Sequence, residues 1–229
     1  LMGGTSILGT IFKMTPEGHL TTLVSFTGGN DGGAPEAGLV KGNDGNFYGT
    51  SSYYGANNRG TVFRMKPDGE LTTLVSFSGV SGSNRGSYPN GELIQGTDGK
   101  FYGTTYKGGA GDFGTIFRMT PTGVFTTLVE FTGESGLNLG SLPAASLFQG
   151  TDGNFYGTTK SGGFYDCGTI FRMTPVGGLT TLHEFSYNDG WGPRAKLIPG
   201  PDGRLYGTTN GNTVFTISPS GVLTTVFNL

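Results

Sequence analysis

The chain has 229 residues, a net charge of −2 and only 13% charged residues, so it offers no strong field to nucleic acid or to an acidic membrane surface. No segment approaches the roughly 20 apolar residues that a membrane-spanning helix needs, which predicts no membrane insertion. The single cysteine, Cys167, excludes an internal disulfide.

One five-residue motif recurs along the chain and sets its organisation. It stands at 10–14 (TIFKM), 61–65 (TVFRM), 115–119 (TIFRM), 169–173 (TIFRM) and 213–217 (TVFTI), at spacings of 51, 54, 54 and 44 residues. A period of this length is typical of the four-stranded blade of a β-propeller. No helical period is present.

The first unit opens with LMGGTS, which aligns with LYGTTN at 205–210 in the last unit. The chain therefore begins inside a second strand, and we expect the first blade to be incomplete at its N-terminus, as in a fragment of a longer polypeptide. No basic and then apolar signal segment opens the sequence, so any precursor segment is expected to lie outside it.

The later units each contain four strand-sized pieces. In the fourth unit these pieces are 145–150, 154–159, 168–173 and 179–185. Asp-Gly turns join the first piece to the second, and Pro-X-Gly turns join the third to the fourth. The prediction is an all-β, five-bladed propeller in one domain, 1–229, with blade units at about 1–26, 36–77, 90–131, 143–185 and 193–229.

The strands are apolar on both faces, as blades packed between blades require. Alternation places Phe117 and Met119 on one face and Ile116 and Arg118 on the other. The same rule places Val24 on one face of the last strand of its unit and Leu23 on the other.

The recurring signature TDGNFYGTT…GTIFRMTPxGxLTTLxxF resembles the GloVer tandem repeat of bacterial choice-of-anchor proteins, along essentially the whole chain. The resemblance implies an extracellular or cell-surface protein. It brings no established catalytic residue, and we expect no metal and no cofactor.

Two sets of variable connections are expected to emerge on one face of the propeller. They join the second strand to the third within a unit, and the fourth strand to the next unit. Aromatic, amide and charged residues lie in them, and this mixture suits carbohydrates, which stack on aromatic planes and hydrogen-bond through hydroxyls. The predicted ligand contacts are Tyr54, Arg85, Tyr106, Asp112, Tyr165, Asp166, Tyr187 and Trp191. The predicted partner is a glycan or polysaccharide, with no nucleic acid partner. The alternative is a structural role, in which these rings only pack the loops onto the blades.

Two other functions stay open at this stage. One is a polysaccharide-degrading enzyme, for which paired carboxylates would be needed. The carboxylates outside the repeat pattern are Asp31, Glu36, Glu92, Asp112, Glu134, Asp166 and Asp189. The other is a structural or assembly unit in which repeats stack between chains. The Asp-Gly carboxylates could suit calcium, but the turn itself calls for them. Arg118 and its equivalents are expected to pack their stems between blades and bond carbonyls.

Overall fold

The computed structural model describes residues 7–228, and their regular structure consists of eighteen β-strands in five antiparallel sheets. Each sheet is one blade. Blade 1 contains β1 (Thr10–Met14) and β2 (Leu20–Ser25). Blade 2 contains β3 (Val40–Lys41), β4 (Phe47–Ser51), β5 (Thr61–Met65) and β6 (Leu71–Ser76). Blade 3 contains β7 (Ile94–Gln95), β8 (Phe101–Thr105), β9 (Thr115–Met119) and β10 (Phe125–Glu130). Blade 4 contains β11 (Phe148–Gln149), β12 (Phe155–Thr159), β13 (Thr169–Met173) and β14 (Leu179–Glu184). Blade 5 contains β15 (Ile198–Pro199), β16 (Leu205–Thr208), β17 (Thr213–Ile217) and β18 (Leu223–Asn228).

The predicted all-β propeller architecture is confirmed, and the described residues form four four-stranded blades and a two-stranded blade 1. The expected second strand of blade 1 falls on residues 1–6, outside the described residues. The strands that open the complete blades are shorter than predicted, at two residues each. In blade 4 the residues before β11 bond to blade 3 instead, because the Ala145 carbonyl accepts from Thr104 Oγ1 at 3.1 Å and Ser146 Oγ accepts from the Glu92 N–H at 2.9 Å.

The last strand of every blade carries a register shift that simple alternation does not predict. In blade 1, Ile11 is opposite Val24 while Phe12 is opposite Thr22, which leaves Leu23 as an extra residue. A β-bulge of this kind turns the strand locally. Leu23 and Val24 therefore pack into the same apolar cluster, and the prediction that they face opposite ways is wrong.

A glycine in the second strand of each complete blade makes room for a phenylalanine of the third strand. A Cβ added to Gly103 would lie 2.6 Å from Phe117 Cζ. The ring of Phe117 is fully buried there. This contact explains why the strings FYG and TIFRM recur together, since each supplies what the other needs.

Neighbouring blades meet through pairs of aromatic rings. Tyr48 of blade 2 stacks on Phe101 of blade 3 with ring centroids 3.9 Å apart, and Phe77 packs edge-on against Phe117 at 5.3 Å. Phe117 and Met119 lie on the same face, as predicted, and this face packs on blade 2, while Ile116 faces blade 4. Each buried phenylalanine contributes about 1.5–3 kcal/mol to stability by leaving water.

The Asp-Gly turns are fixed by the carboxylate that the sequence places in them. Asp98 accepts hydrogen bonds from the Lys100 N–H at 3.1 Å and from the hydroxyl of Tyr102 at 3.0 Å. Partial burial alone would raise the pKa of Asp98, but these hydrogen bonds outweigh it and lower that pKa. Burial and the bond to Asp98 raise the pKa of Tyr102 to about 12.

Polar contacts also join consecutive blades. The Gln95 side chain accepts from the Asn43 N–H at 3.0 Å, and the Gln149 side chain accepts from the Thr97 N–H at 3.0 Å. Arg118 donates to the Pro175 carbonyl at 3.3 Å, as expected of this repeating cationic position. Four apolar clusters join blades 1 to 2, 2 to 3, 3 to 4 and 4 to 5. Within residues 7–228 no such cluster joins blade 5 to blade 1.

Candidate functional site

The long connections lie at one end of the blades and form the surface that we call the loop face. It contains the hairpin loops 52–60, 106–114, 160–168 and 209–212, and the crossover loops 27–37, 78–90, 132–145 and 186–194. Isolated β-bridges pair the two kinds of loop, as between Ser87 and Lys107 or Ser141 and Ser161. The predicted convergence of the variable segments is therefore present in the structure.

The residue before the proline of each crossover loop ties two blades together. Tyr88 donates its N–H to the Arg59 carbonyl of blade 2 at 3.0 Å, and its own carbonyl accepts from the Tyr106 N–H of blade 3 at 3.0 Å. Tyr88 adopts a left-handed conformation with φ 56°, and Ala34 and Leu142 do the same at φ 54° and 57°. Such a conformation costs a non-glycine residue about 1–2 kcal/mol. The loops are thus held in one defined arrangement.

The loop carboxylates shape their own loops. Asp112 accepts the Gly108 N–H at 2.8 Å, and Asp166 accepts the Gly162 N–H at 2.6 Å. Asp31 accepts the Thr27 N–H at 2.8 Å. Asp189 accepts the Ser186 N–H at 2.7 Å. Asp112 and Asp166 were both predicted as ligand contacts. These hydrogen bonds give each carboxylate a structural role in its own loop that requires no ligand.

Arg85, another predicted contact, forms an ion pair on the outer side of the loop face. Its guanidinium lies 2.8 Å from Glu130 Oε1, and Glu130 also accepts the Ala110 N–H at 2.7 Å. Burial alone would raise the pKa of Glu130, but the bonds from Ala110 and Arg85 lower it. Arg85 therefore stabilises the contact between a crossover loop and the next hairpin loop.

Four exposed aromatic residues stand on two adjoining loops of blade 4, and we call this group the aromatic platform. Phe164 and Tyr165 are 75% and 55% exposed, and Tyr187 and Trp191 are 80% and 44% exposed. The rings of Phe164 and Tyr165 meet edge-on with centroids 5.0 Å apart. The Gly192 N–H donates to the Cys167 carbonyl at 2.8 Å and joins the two loops. The predicted residues Tyr165, Asp166, Tyr187 and Trp191 thus lie on two loops that this hydrogen bond joins.

Local packing explains why the crossover loop carries Tyr187, and also why it carries Trp191. In other blades a large side chain of the hairpin loop covers a glycine, as Phe113 covers Gly133, whose added Cβ would lie 3.0 Å from Phe113 Cζ. In blade 4 the sizes are exchanged. Cys167 is small and buried where blade 3 has Phe113, and the large Tyr187 stands at the position of Gly133.

Trp191 stands where the crossover loops of blades 2 and 3 have the buried Ser87 and Ser141. The hairpin loop of blade 5 is short, and Trp191 covers its Gly211, whose added Cβ would lie 2.8 Å from the indole ring. Trp191 therefore fills the space that a longer loop would occupy and still exposes 44% of its surface.

Tyr106 directly follows β8 and contacts the first residue of the blade 4 hairpin loop. Its hydroxyl accepts from Lys160 Nζ at 3.4 Å, across the boundary between blades 3 and 4. Lys160 was not predicted as a contact. The repeat offers a signal for it, because Lys160 occupies the position that Ser52 and Tyr106 hold in blades 2 and 3.

Tyr54 lies apart from the platform, between blades 1 and 2. There a cavity of about 560 Å³ is lined by Ile7, Leu8, Ala34, Glu36, Tyr53, Tyr54 and Asn58. The structure thus separates the predicted contacts into one group on blade 4, the loop residues Arg85, Tyr106 and Asp112 of blades 2 and 3, and Tyr54 beside this cavity.

The described residues contain no group of three or more histidine, cysteine, aspartate or glutamate side chains placed to hold a metal ion. Between Ile7 and Asn228, no helix is present that could cross a bilayer.

Comparison with known proteins supports the repeat and the fold. A family model described as the Gloeobacter/Verrucomicrobia repeat matches residues 1–142 and again residues 84–229. No curated protein is detectably similar in sequence.

Solved structures share the architecture at low identity. A candidate gluconolactonase is 18% identical with a TM-score of 0.52, over 88% of this chain and 64% of its own. A candidate 6-phosphogluconolactonase from Bacteroides uniformis is 18% identical with a TM-score of 0.58, over 94% of this chain and 62% of its own. The chain thus spans less than two thirds of either structure. A candidate glucose dehydrogenase from Thermus thermophilus is 16% identical with a TM-score of 0.56, over 97% of this chain and 79% of its own. These likenesses concern the fold alone.

Proposed function

The chain belongs to the Gloeobacter/Verrucomicrobia repeat family, and we propose that it is an extracellular or surface-associated binding module that holds a polysaccharide on the aromatic platform. The observation that carries the proposal is the exposure of Phe164, Tyr165, Tyr187 and Trp191, from 44% to 80%, on two loops joined by a hydrogen bond. Large rings left in water on a rigid surface are typical of a binding site.

The chemistry of the platform suits a sugar chain. Aromatic faces stack against the C–H faces of sugar rings, and each such contact contributes about 0.5–1.5 kcal/mol. Hydrogen-bonding side chains lie on the same two loops: Lys160 opens the hairpin loop, and the exposed Asn188 lies between Tyr187 and Trp191 in the sequence of the crossover loop. A platform of this type is open, so it suits a chain that extends beyond the contact rather than a small enclosed molecule.

The preformed loops support binding without a large entropic cost. Asp166 fixes its hairpin loop through the Gly162 N–H at 2.6 Å, and Asp189 fixes the crossover loop through Ser186 at 2.7 Å. A platform that is ordered before the ligand arrives loses little freedom on binding. The carboxylates are thereby assigned to loop geometry, which favours a binding role over a pair that reacts with substrate.

The test is a glycan array followed by calorimetry on the polysaccharides that bind. We expect Trp191→Ala and Tyr165→Ala each to weaken binding by about 3- to 10-fold, the range that one stacking contact supplies. The matched control is Val176→Ala, since Val176 is 81% exposed on the turn between β13 and β14, at the opposite end of the blade. Binding that is unchanged in both platform variants, or absent from every polysaccharide, would refute the proposal.

A parallel assay separates binding from degradation. Incubation of each bound polysaccharide with the wild-type chain should release no reducing ends. Release that disappears in Asp112→Asn or Asp166→Asn would replace this proposal with a hydrolytic one. Fractionation of cells that produce the native protein tests its location, for which the resemblance to anchored proteins is the support.

A further inference from the structure

A cavity lies between blades 4 and 5, at the end of the blades opposite the loop face. Its volume is about 230 Å³, and its lining includes Phe148, Thr151 and Asp152 of blade 4 and Pro199, Gly203 and Leu205 of blade 5. These residues lie in the first two strands of each blade and in the Asp-Gly turns between them. Two departures from the repeat open this cavity.

The first departure is a smaller side chain at the start of β16. At the boundary of blades 3 and 4, Phe155 packs on Tyr102 with ring centroids 4.1 Å apart, and a Cβ added to Gly96 would lie 3.2 Å from Phe155 Cζ. Blade 5 has Leu205 in place of this phenylalanine. The three atoms nearest to a Cβ added to the equivalent Gly150 all belong to blade 4 itself. Leu205 therefore leaves open the space that the tip of the phenyl ring fills at the preceding boundary.

The second departure is a missing glutamine in β15. Gln149 of blade 4 accepts the Thr97 N–H of blade 3 at 3.0 Å and donates to the Gly153 carbonyl of its own turn at 3.1 Å. Gln95 makes the same two bonds one boundary earlier, at 3.0 and 2.8 Å. Blade 5 has Pro199 at this position. The side chain of proline has no donor and no acceptor, so neither bond forms between blades 4 and 5.

Both main-chain groups that such a glutamine bonds line the cavity. The Thr151 N–H is the equivalent of the Thr97 N–H, and the Gly203 carbonyl is the equivalent of the Gly153 carbonyl. Neither group has a hydrogen-bond partner among residues 7–228. The hydroxyl of Thr151 adds a second acceptor, since that of Thr97 accepts from Gln149 Nε2 at 3.3 Å. The cavity thus presents a donor and an acceptor at the two positions that a carboxamide joins elsewhere in the molecule.

The charges around the cavity favour a neutral ligand. Partial burial alone would raise the pKa of Asp152, but hydrogen bonds from Asn154 and Tyr156 outweigh it and lower that pKa. Asp152 is therefore an anion at neutral pH and repels a ligand carboxylate. Arg204 also lines the cavity, but its guanidinium donates to Thr216 Oγ1 at 2.9 Å and to a main-chain carbonyl of its own blade at 2.8 Å. This cation is thus engaged within blade 5.

We propose that this cavity binds a primary carboxamide of about the size of a glutamine side chain. The amide oxygen accepts the Thr151 N–H, the amide nitrogen donates to the Gly203 carbonyl, and the aliphatic part packs on Phe148 and Leu205. A carboxamide supplies an acceptor and a donor side by side without a charge. It reaches the cavity as a small free amide or as the side chain of a peptide. The site lies at the opposite end from the loop face and does not depend on polysaccharide binding.

The test is a nuclear magnetic resonance titration of the ¹⁵N-labelled chain with propionamide, which reproduces the side chain of glutamine. We expect the amide resonance of Thr151 to shift and to saturate, with a dissociation constant in the millimolar range that suits so small a ligand. Propionate has the same shape but cannot donate to Gly203, and it should bind about 10-fold more weakly. The peptide Gly-Gln-Gly separates the two sources: tighter binding than that of propionamide identifies a peptide side chain, and weaker binding identifies a free amide.

Two substitutions restore what the repeat has elsewhere and should abolish the response to propionamide. Pro199→Gln supplies the missing amide, and Leu205→Phe fills the apolar part of the cavity. The matched control is Pro199→Ala, which removes the proline ring without supplying an amide and should keep the response. Because the new glutamine forms the two missing bonds, Pro199→Gln should unfold about 2–4 °C above Pro199→Ala.

A Thr151 resonance that does not respond to propionamide, or that responds equally to propionate, would overturn the proposal. A response that persists in Pro199→Gln or in Leu205→Phe would overturn it as well, because in each variant the chain itself occupies the cavity.

Discussion

Phe117 and Phe164 are the same residue type in neighbouring blades, yet Phe117 is fully buried between blades 2 and 3 while Phe164 is 75% exposed on the loop face. The positions that hold Phe117 and its equivalents keep an aromatic side chain in every unit. The position of Phe164 holds Ala56 and Ala110 in the two preceding units. The residues that repeat are therefore buried between blades and stabilise them, whereas residues that depart from the repeat are exposed on the loop face.

The largest expected effect on the free energy of unfolding comes from removing one aromatic side chain that is buried between two blades. Phe117→Ala removes a side chain that contacts Phe77 and Phe125 with centroids 5.3 Å away in each case. We expect the free energy of unfolding to fall by about 3–5 kcal/mol, measured by urea denaturation. Phe164→Ala should lower it by less than about 0.5 kcal/mol. Equal losses in the two variants would remove the distinction between the regions.

The next effect concerns the glycine beneath that ring. Gly103→Ala places a Cβ 2.6 Å from Phe117 Cζ, and we expect overpacking to cost about 1–3 kcal/mol. The cost should shrink in a Phe117→Leu background, because leucine lacks the distal ring atoms. A double-mutant cycle with urea denaturation measures this coupling. Strict additivity of the two changes would show that the glycine serves another purpose.

A smaller effect tests the exchange of sizes in the loops of blade 4. Cys167→Phe creates the side chain that Phe113 supplies in blade 3, but Tyr187 now stands where Gly133 would be. We expect a loss near the lower end of the overpacking range, about 1 kcal/mol, because the exposed Tyr187 can turn away. Adding Tyr187→Gly should restore the stability. Thermal unfolding of the single and double variants decides the matter, and a double variant no better than the single one would contradict the packing argument.

A comparably small effect is the loss of one turn hydrogen bond. Tyr102→Phe removes the hydroxyl that donates to Asp98 at 3.0 Å and should cost about 1 kcal/mol. The pKa of Tyr102 is about 12 in the folded chain, above the ordinary value of about 10 that the unfolded chain has. Its contribution is therefore complete below pH of about 10 and is lost as the pH rises toward 12. Denaturation between these pH values should show a shallower decline in the variant, and an unchanged slope would contradict the assignment.

The fold was predictable because its determinants repeat. TIFRM or an equivalent occurs five times, with Asp-Gly and Pro-X-Gly turns at fixed places. Each repeat therefore predicts the same strands and turns independently. The sequence pattern did not predict two features of the fold. The bulge at Leu23 depends on backbone pairing that alternation of side chains does not reveal. The two-residue first strands depend on bonds to the neighbouring blade, such as that of Ser146 with Glu92.

The candidate site was predictable only in part, because loops vary in what they contact. The sequence locates Tyr165, Tyr187 and Trp191 on one face, and the structure brings them onto one blade. The sequence gives no sign that Arg85 pairs with Glu130, because that bond joins residues 45 positions apart. It also gives no sign that Asp112 is held by its own loop, because a carboxylate in a loop looks the same whether it faces a ligand or a backbone N–H.

The most direct test of the central claim exchanges the loop and leaves the blade intact. Residues 160–166 (KSGGFYD) are replaced by the blade 3 segment 106–112 (YKGGAGD), which has the same length, the same Gly-Gly pair and the same aspartate. We expect a free energy of unfolding within about 1 kcal/mol of the wild type and, because two of the four platform rings are removed, an affinity for the bound polysaccharide that is about 10- to 100-fold lower. A chimaera that loses cooperative unfolding, or one that binds as the wild type does, would contradict the claim.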